Sequence, residues 1–337
     1  MRAIIPVAGI GSRMRPHTHT QAKVLLQVAG KAMIDHIIDD LEAAGVDGVT
    51  LVVGYLGDRI EEHVTKHYGH LTLNFVRQQE MLGLGHAIAI TKDIHKDDDR
   101  VLIILGDTIV KADFRKMFSL GDSVLGVKAV DDPRRFGTVE NEKGTDRITG
   151  LIEKAENPPT NLAIVGVYLI NDPKMMYDGL DHIIKNDIRT KKEFQLTDAL
   201  AEMLKNGHVM RSFEIEEWLD CGKPETLLST NRRLLELHGS GDIEEYQRRY
   251  PKAVFVPPVV VGPDCEIENA VVGPYVSMRH EVSIRNSVLR DCTIGKNAAL
   301  ERVILHDSMI GEFAVVQGAC GSLNVGDHSV SCQNGNL

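Results

Sequence analysis

Between Val7 and Pro16 the chain reads Val-Ala-Gly-Ile-Gly-Ser-Arg-Met-Arg-Pro, with Lys23 a short distance beyond. Glycines at 9 and 11 let the backbone turn sharply and offer bare amides to an anion. Arg13 brings a planar fork matched to phosphate oxygens, Lys23 a compact mobile charge, and Arg15 stands beside them. The chemistry these types suit is capture of a phosphate-rich ligand by Ala8, Gly9, Gly11, Ser12, Arg13 and Lys23. A carboxylate, Asp107, closes the apolar run Val101-Leu102-Ile103-Ile104-Leu105-Gly106. A hard divalent cation such as Mg²⁺ takes oxygen ligands, usually one or two carboxylates together with substrate phosphates and water, and Asp107 suits that role. Taken alone, an Asp at a strand end is equally often a turn cap.

These side chains need strands and helices to carry them. The run Ile4-Ile5-Pro6-Val7 reads as a strand, so the glycine loop follows a strand's carboxyl end, the edge on which open sheets bind ligands. Further strands are predicted at Val49 to Val53, Leu73 to Val76, Val101 to Leu105 and Val124 to Val130. Met33, Ile34, Ile37, Ile38 and Leu41 recur at helical intervals with Gly45 as a stop. Strands alternating with helices make a mostly parallel, Rossmann-like α/β sheet. The loop fits neither standard phosphate motif: it lacks the Lys-Ser/Thr of a P-loop and the third glycine of a dinucleotide fingerprint.

The 337 residues carry 38 Lys plus Arg against 48 Asp plus Glu, a net charge of −10. That excludes broad attraction to nucleic acid or an anionic membrane, so phosphate binding must be a local cationic cluster. No run approaches the length of a membrane span, and five cysteines without a Cys-x-x-Cys pair are those of a reduced, cytoplasmic protein.

Beyond Pro251 the pattern changes to short apolar words punctuated by Gly, Asn and Asp. Asp291-Cys292-Thr293-Ile294-Gly295 matches Asp307-Ser308-Met309-Ile310-Gly311 at an offset of 16 (307 minus 291). The same offset generates three columns: Val272, Val288 and Ile304; Met278, Ile294 and Ile310; Ile284, Leu300 and Val316. Three inward columns describe a triangular solenoid with one short strand per face and one corner shortened. The predicted organisation is residues 1–240, a linker at 241–253 and a solenoid at 254–337. So few coils leave end surface to cover, which predicts a homo-oligomer assembled through the solenoid.

The Gly-x-Gly-Ser/Thr-Arg-Leu/Met-x-Pro loop, with Lys23 and the later Gly30-Lys31-Ala32-Met33-Ile34, resembles the signature of the sugar-1-phosphate nucleotidyltransferases. Ala32 stands where that family has proline. The resemblance extends to about residue 240, and the remainder resembles the left-handed parallel β-helix that some members append.

The resemblance implies transfer of a nucleotidyl group from a nucleoside triphosphate to a sugar-1-phosphate, with no protein nucleophile. It matches Asp220, in Trp218-Leu219-Asp220-Cys221-Gly222, to the second Mg²⁺ ligand beside Asp107. Gln79 and Gly85, in Gln78-Gln79-Glu80-Met81-Leu82-Gly83-Leu84-Gly85-His86, fall in the base-reading segment. A Gln79 amide can pair with a pyrimidine imide edge, which favours UTP or dTTP. Gly137, Glu153, Lys154, Gly166, Tyr168 and Glu193 fall in the sugar-phosphate segments, with Lys154 facing the phosphate and Glu153 the hydroxyls. Ala155 replaces a frequent proline there. Glucose-1-phosphate is the implied sugar. Two other readings stand beside this one: a catalytically silent assembly subunit, or a bifunctional enzyme whose solenoid transfers acyl groups with His280, His306 or His328.

Overall fold

The computed structural model describes residues 1–332. By its contacts the chain forms two compact units, Met1–Ile10 with Ile37–Trp218, and Gly11–His36 with the residues from Leu219 onward.

The first unit is built on a nine-stranded sheet. Arg2–Pro6 lies at its centre, parallel to Gly48–Val53 and to Val101–Ile104, and Thr72–Arg77 extends the parallel half. Strands buried on both faces read as continuous apolar runs, and here Gly48–Val53 and Val101–Ile104 are buried at every position. The other half is mainly antiparallel: Leu162–Ile170 pairs with Val101–Ile104, Ser123–Ala129 and Gly137–Asn141, and Gly137–Asn141 pairs with Ile148–Glu153, while Met210–Glu214 joins Ser123–Ala129 in parallel. The sheet is therefore mixed. Helix Met33–Ala43 starts in the second unit's loop segment and ends before Gly45, whose φ of 93° accepts the left-handed turn. Helices Pro173–Lys185 and Leu196–Lys205 bury Tyr177, Leu180, Leu196 and Leu200 in one core with Ile103 and Tyr168.

In the second unit, helix Pro224–His238 precedes a helix at Ile243–Arg249, so most of the stretch predicted as a linker is helical. Its Tyr246 and Tyr250 rings pack on Phe255, and Tyr250 donates to the Cys265 carbonyl at 2.9 Å, which ties it to the solenoid.

The solenoid has three ladders of parallel strands, one per face. Ala253–Phe255, Glu266–Val272, Ser283–Ile294 and Ile304–Ile310 follow one another in parallel register. Val259–Val261 pairs with Val276–Met278, and Ala299–Glu301 with Val315–Gln317. Residues with positive φ mark its corners, among them Asn269, Asn286 and Arg302 on one edge and Asp264, Glu281, Asn297 and Phe313 on another. Asn and Asp tolerate that conformation better than other side chains, which explains the polar punctuation in the sequence.

Two predicted columns hold. Met278, Ile294 and Ile310 are stacked and buried, and so are Ile284, Leu300 and Val316. The first column does not. Val272 pairs with Leu289, not Val288, because the early coils are 17 residues long (272 to 289). The inward ladder is Phe255, Val272, Leu289 and Leu305, while Val288 and Ile304 point outward at 40% and 47% exposure. A slip of one residue moves a strand's side chains to its other face.

Candidate active site

In the first unit, the four parallel strands end on one edge, so the segments that follow them, starting at Val7, Gly54, Gln78 and Leu105, gather there. Gly54 is pressed against the first of these: a Cβ there would lie 2.7 Å from the Ala8 carbonyl oxygen and 2.7 Å from the Met81 methyl. Tyr55 donates its amide to the same carbonyl at 3.3 Å. Ala8 is buried and Gly9 exposed, with open space around it for a ligand. Asp107 is half-buried, and Thr108 donates to its carboxylate at 3.4 Å.

Gln79 is exposed. Its neighbour Gln78, which no pattern in the sequence singles out, is buried and donates to the Gly83 carbonyl at 3.3 Å and to His86 Nδ1 at 3.1 Å. It braces the loop that carries Gln79. Gly83 and Gly85 turn their missing side chains toward the segment Glu193–Gln195: a Cβ would meet the Phe194 carbonyl oxygen at 2.6 and 2.9 Å respectively. Gly85 donates to that carbonyl and Phe194 donates to Leu82, each at 2.8 Å. These glycines thus join the segment carrying Gln79 to the one carrying Glu193.

Lys154 has φ of 44° and its ammonium lies 3.3 Å from Glu153 and 3.8 Å from Glu193. Its amide donates to the Phe136 carbonyl at 3.0 Å. The Glu153 side chain is only 8% exposed, and a Cβ on Gly137 would sit 2.7 Å from its Oε2 and 2.9 Å from Thr197 Oγ1. Gln195 donates to Glu193 at 2.9 Å. Asp198, near Lys154's field, has a raised pKa because burial disfavours its charge, and its Oδ2 has no hydrogen-bond partner among the described residues. A cleft of about 490 Å³ beside Lys154 is lined by Arg134, Arg135 and Lys191 together with Asp132 and Glu156. Asp132 is engaged by Arg134, whose hydrogen bonds hold its pKa down at about 2. Tyr168 lies in the core at 4% exposure, where burial raises its pKa, and Gly166 adopts φ of 85° with Leu105 filling the side-chain direction.

In the second unit, Gly11 (φ 67°) opens a short turn over Ser12–Met14 that leaves Ser12 and Arg13 exposed and Met14 buried. Thr18 donates to the Gly11 carbonyl at 2.9 Å, and a Gly11 Cβ would lie 3.0 Å from the Lys23 Cβ. Asp220, exposed, accepts the Gly222 amide at 2.9 Å. A Cβ on Gly222 would meet both Asp220 Oδ1 at 2.9 Å and Arg13 Nη2 at 3.2 Å, so these two side chains converge on the same glycine. Cys221 is buried, and none of the five cysteines forms a disulfide.

A family model described as nucleotidyl transferase matches residues 2–236. The chain belongs to that family. The low-salt glycan biosynthesis nucleotidyltransferase Agl11 of Haloferax volcanii is 33% identical over 246 residues, 70% of this chain and 66% of that protein. A glucose-1-phosphate thymidylyltransferase of Streptomyces griseus is 30% identical over 359 aligned residues, 98% of each chain. Among solved structures, a UDP-glucose pyrophosphorylase complexed with UDP-glucose superposes with a TM-score of 0.61 at 24% identity, covering 70% of this chain and 98% of that one. The last likeness concerns the fold.

Members of the nucleotidyl transferase family generally use a divalent metal with their substrates. Asp107 and Asp220 supply hard carboxylate oxygens and no soft donors, the chemistry Mg²⁺ takes. No helix among the described residues is long and apolar enough to cross a membrane. In the solenoid, His280 and His306 each contact the carboxylate next in sequence, at 3.1 and 3.0 Å, and His328 stacks on Phe313.

Proposed function

We propose that this chain joins glucose-1-phosphate to UTP or dTTP, forming the NDP-glucose and pyrophosphate. A phosphate oxygen of the sugar-1-phosphate attacks the α-phosphorus, and the bond from that phosphorus to the β-phosphate bridging oxygen breaks. Such a transfer depends on in-line positioning and charge stabilisation rather than on a protein nucleophile. Ala8, Gly9, Gly11 and Ser12 present the loop backbone to the triphosphate, and Arg13 and Lys23 neutralise its β- and γ-phosphates. Gln79 reads the base with Gly85 shaping its segment, and Lys154 orients the incoming phosphate. Glu153 and Glu193 accept sugar hydroxyls. Gly137 lets Glu153 come close, and Gly166 and Tyr168 support the site from the core behind it. Asp107 and Asp220 would hold Mg²⁺, which would supply charge neutralisation at the reacting phosphates.

The observation that carries this reading is the environment of Lys154. A lone ammonium stands between a nearly buried Glu153 and Glu193, at the rim of a cleft with Arg135 and Lys191, so one site offers acceptors for hydroxyls and cations for a phosphate. The full-length thymidylyltransferase relative supports the choice of glucose and of a pyrimidine nucleotide. The reading includes catalysis within residues 1–240, a cytoplasmic location, supported by five cysteines with no disulfide among them, and a homo-oligomer, supported by the outward apolar ladder Val254, Val288 and Ile304 on one solenoid face.

The test is pyrophosphate release from a matrix of four nucleoside triphosphates against several sugar-1-phosphates, with and without Mg²⁺. The expected outcome is Mg²⁺-dependent turnover highest for UTP or dTTP with glucose-1-phosphate. Preference for a purine triphosphate refutes the base assignment, and preference for another sugar-1-phosphate refutes the sugar.

A further inference from the structure

The loop that carries Arg13 and Lys23 has no helix or long strand of its own. Between Gly11 and Ala32 it consists of three single turns, Ser12–Met14, His17–His19 and Lys23–Leu25, and a two-residue ribbon. Isolated turns of this size do not hold a shape in water, so the geometry must come from what the loop rests on. It rests on the solenoid, in the same compact unit. His17, 3% exposed, places Nε2 2.6 Å from Asn324 Oδ1. Thr20 donates to Asp327 Oδ2 at 2.6 Å, while Asp327 Oδ1 accepts the Glu312 amide at 2.7 Å and is thereby fixed to the preceding coil. Between these two residues, Gly326 lets Pro16 come so close that a Cβ would lie 2.9 Å from the proline Cβ.

The contact is not a continuous core. A cavity of about 40 Å³ opens between loop and coils, lined by His17, Gln21, Gln27, Arg279, Met309 and Asp327. Where apolar packing is interrupted, hydrogen bonds at the rim carry more of the hold. Asn324 and Asp327 are those rim contacts. From them the path to the phosphate-binding groups is short: His17 and Thr20 flank Thr18, Thr18 donates to the Gly11 carbonyl, and Gly11 packs on Lys23. Burial lowers the His17 pKa, so the ring is neutral near pH 7 and Nε2–H is the donor to Asn324.

We propose that Asn324 and Asp327, at the far end of the solenoid, are positioning residues that set the triphosphate-binding loop, so that the solenoid is part of the nucleotide site's scaffold. The inference rests on the reading that Arg13 and Lys23 bind the triphosphate.

The experiment uses the full chain, with steady-state kinetics on both substrates and thermal unfolding of Asn324→Ala, Asp327→Ala, Asn324→Asp, Thr20→Val and Arg13→Ala. The KM for UTP or dTTP should rise about 5- to 20-fold in the two alanine variants, with the KM for glucose-1-phosphate unchanged. Asn324→Asp, which keeps an acceptor for His17 Nε2–H, should return the triphosphate KM to near the wild-type value. Thr20→Val should match Asp327→Ala, and the double variant should be no worse than either single one. Equal losses for both substrates with a lowered unfolding midpoint, or no change in triphosphate KM while Arg13→Ala does change it, overturn the inference. An unchanged triphosphate KM in Arg13→Ala itself overturns the underlying loop assignment instead.

Discussion

Gly137→Ala is a one-methyl perturbation aimed at the sugar end of the site. The new Cβ would stand 2.7 Å from Glu153 Oε2, 2.9 Å from Thr197 Oγ1 and 3.1 Å from Ile164 Cδ1. Ordinary contact begins near 3.4 Å, so the carboxylate must retreat by about 0.7 Å (3.4 minus 2.7). Glu153 cannot swing into solvent without cost, because its side chain is 8% exposed and bounded by Lys154 at 3.3 Å. A hydrogen bond to a charged acceptor is worth about 1.5–3 kcal/mol, and its loss at a misplaced carboxylate corresponds to about 10- to 150-fold in kcat/KM for the sugar-1-phosphate. The overpacking itself should cost about 1–3 kcal/mol of stability, leaving a folded protein. The assay is kcat/KM for glucose-1-phosphate at saturating triphosphate, repeated for Glu153→Gln and for the double variant. Because both changes act on one carboxylate, the double variant should fall no further than the worse single one. A fully additive double variant, or a Gly137→Ala enzyme with unchanged kcat/KM, refutes the reasoning.

Asp107→Asn and Asp220→Asn should each reduce Mg²⁺-dependent turnover by at least about 100-fold with little change in unfolding midpoint, since volume is conserved while a metal-binding charge is lost; pyrophosphate release and thermal unfolding check this. Burial lowers the pKa values of His17 and His95, so the unfolded chain takes up protons first: stability should be full above the ordinary imidazole value of 6.5 and fall as pH drops below it. Denaturant midpoints across that range should show this slope, and a flat profile removes the argument. Ile294→Asp should unfold or aggregate the protein because the site has no solvent exposure, whereas Val288→Asp, outward at 40% exposure, should keep the fold and weaken self-association seen by light scattering. Equal tolerance of the two would restore the uniform 16-residue register.

Much of the first unit was legible because its signals are local. The run Ile4-Ile5-Pro6-Val7 and Asp107 after a buried strand state their place within about ten residues of sequence, and so does the Gly9-Ile10-Gly11-Ser12-Arg13 loop that leads out of the first unit into the second. Side chains that act from behind were not legible. Gln78 looks like a second copy of Gln79, and only burial against Gly83 and His86 separates a bracing amide from an exposed one. Asp198 reads as an ordinary first-turn acid of a helix until its unpartnered Oδ2 and its burial are seen. Nor does the sequence around Gly83 and Gly85 tell that the space beside them is taken by the Phe194 backbone, more than a hundred residues away. The hold of Asn324 and Asp327 on His17 and Thr20 spans 307 residues and leaves no periodic trace at either end.

The misread solenoid column has the same kind of cause, and it can be located. Along the solenoid the distance between the first and second faces contracts: at equivalent ladder positions Ala253 to Val259 and Ala270 to Val276 are six residues apart and Ser287 to Cys292 five, while Ile304 to Met309, five apart, is followed in the next coil by Cys320 to Asn324, four apart. The other corners keep their lengths through the middle coils, so the loss falls at one corner, the one that passes through Tyr275, Asp291 and Asp307 at positive φ. That is also the corner reached by helix Pro224–His238. Its Arg232 bonds Asp291 at 2.8 Å and lies 3.6 Å from Asp307, and its buried Asn231 accepts from both the Ala29 amide and the Ser277 hydroxyl. A fixed-offset alignment treats a shortened corner as noise and carries the error into the face before it. In the folded chain the shortened corner lies against the helix that also bonds the loop at Ala29, so the irregularity in the repeat coincides with the place where the solenoid stops being a free-standing stack and becomes a support for the segment bearing Arg13 and Lys23.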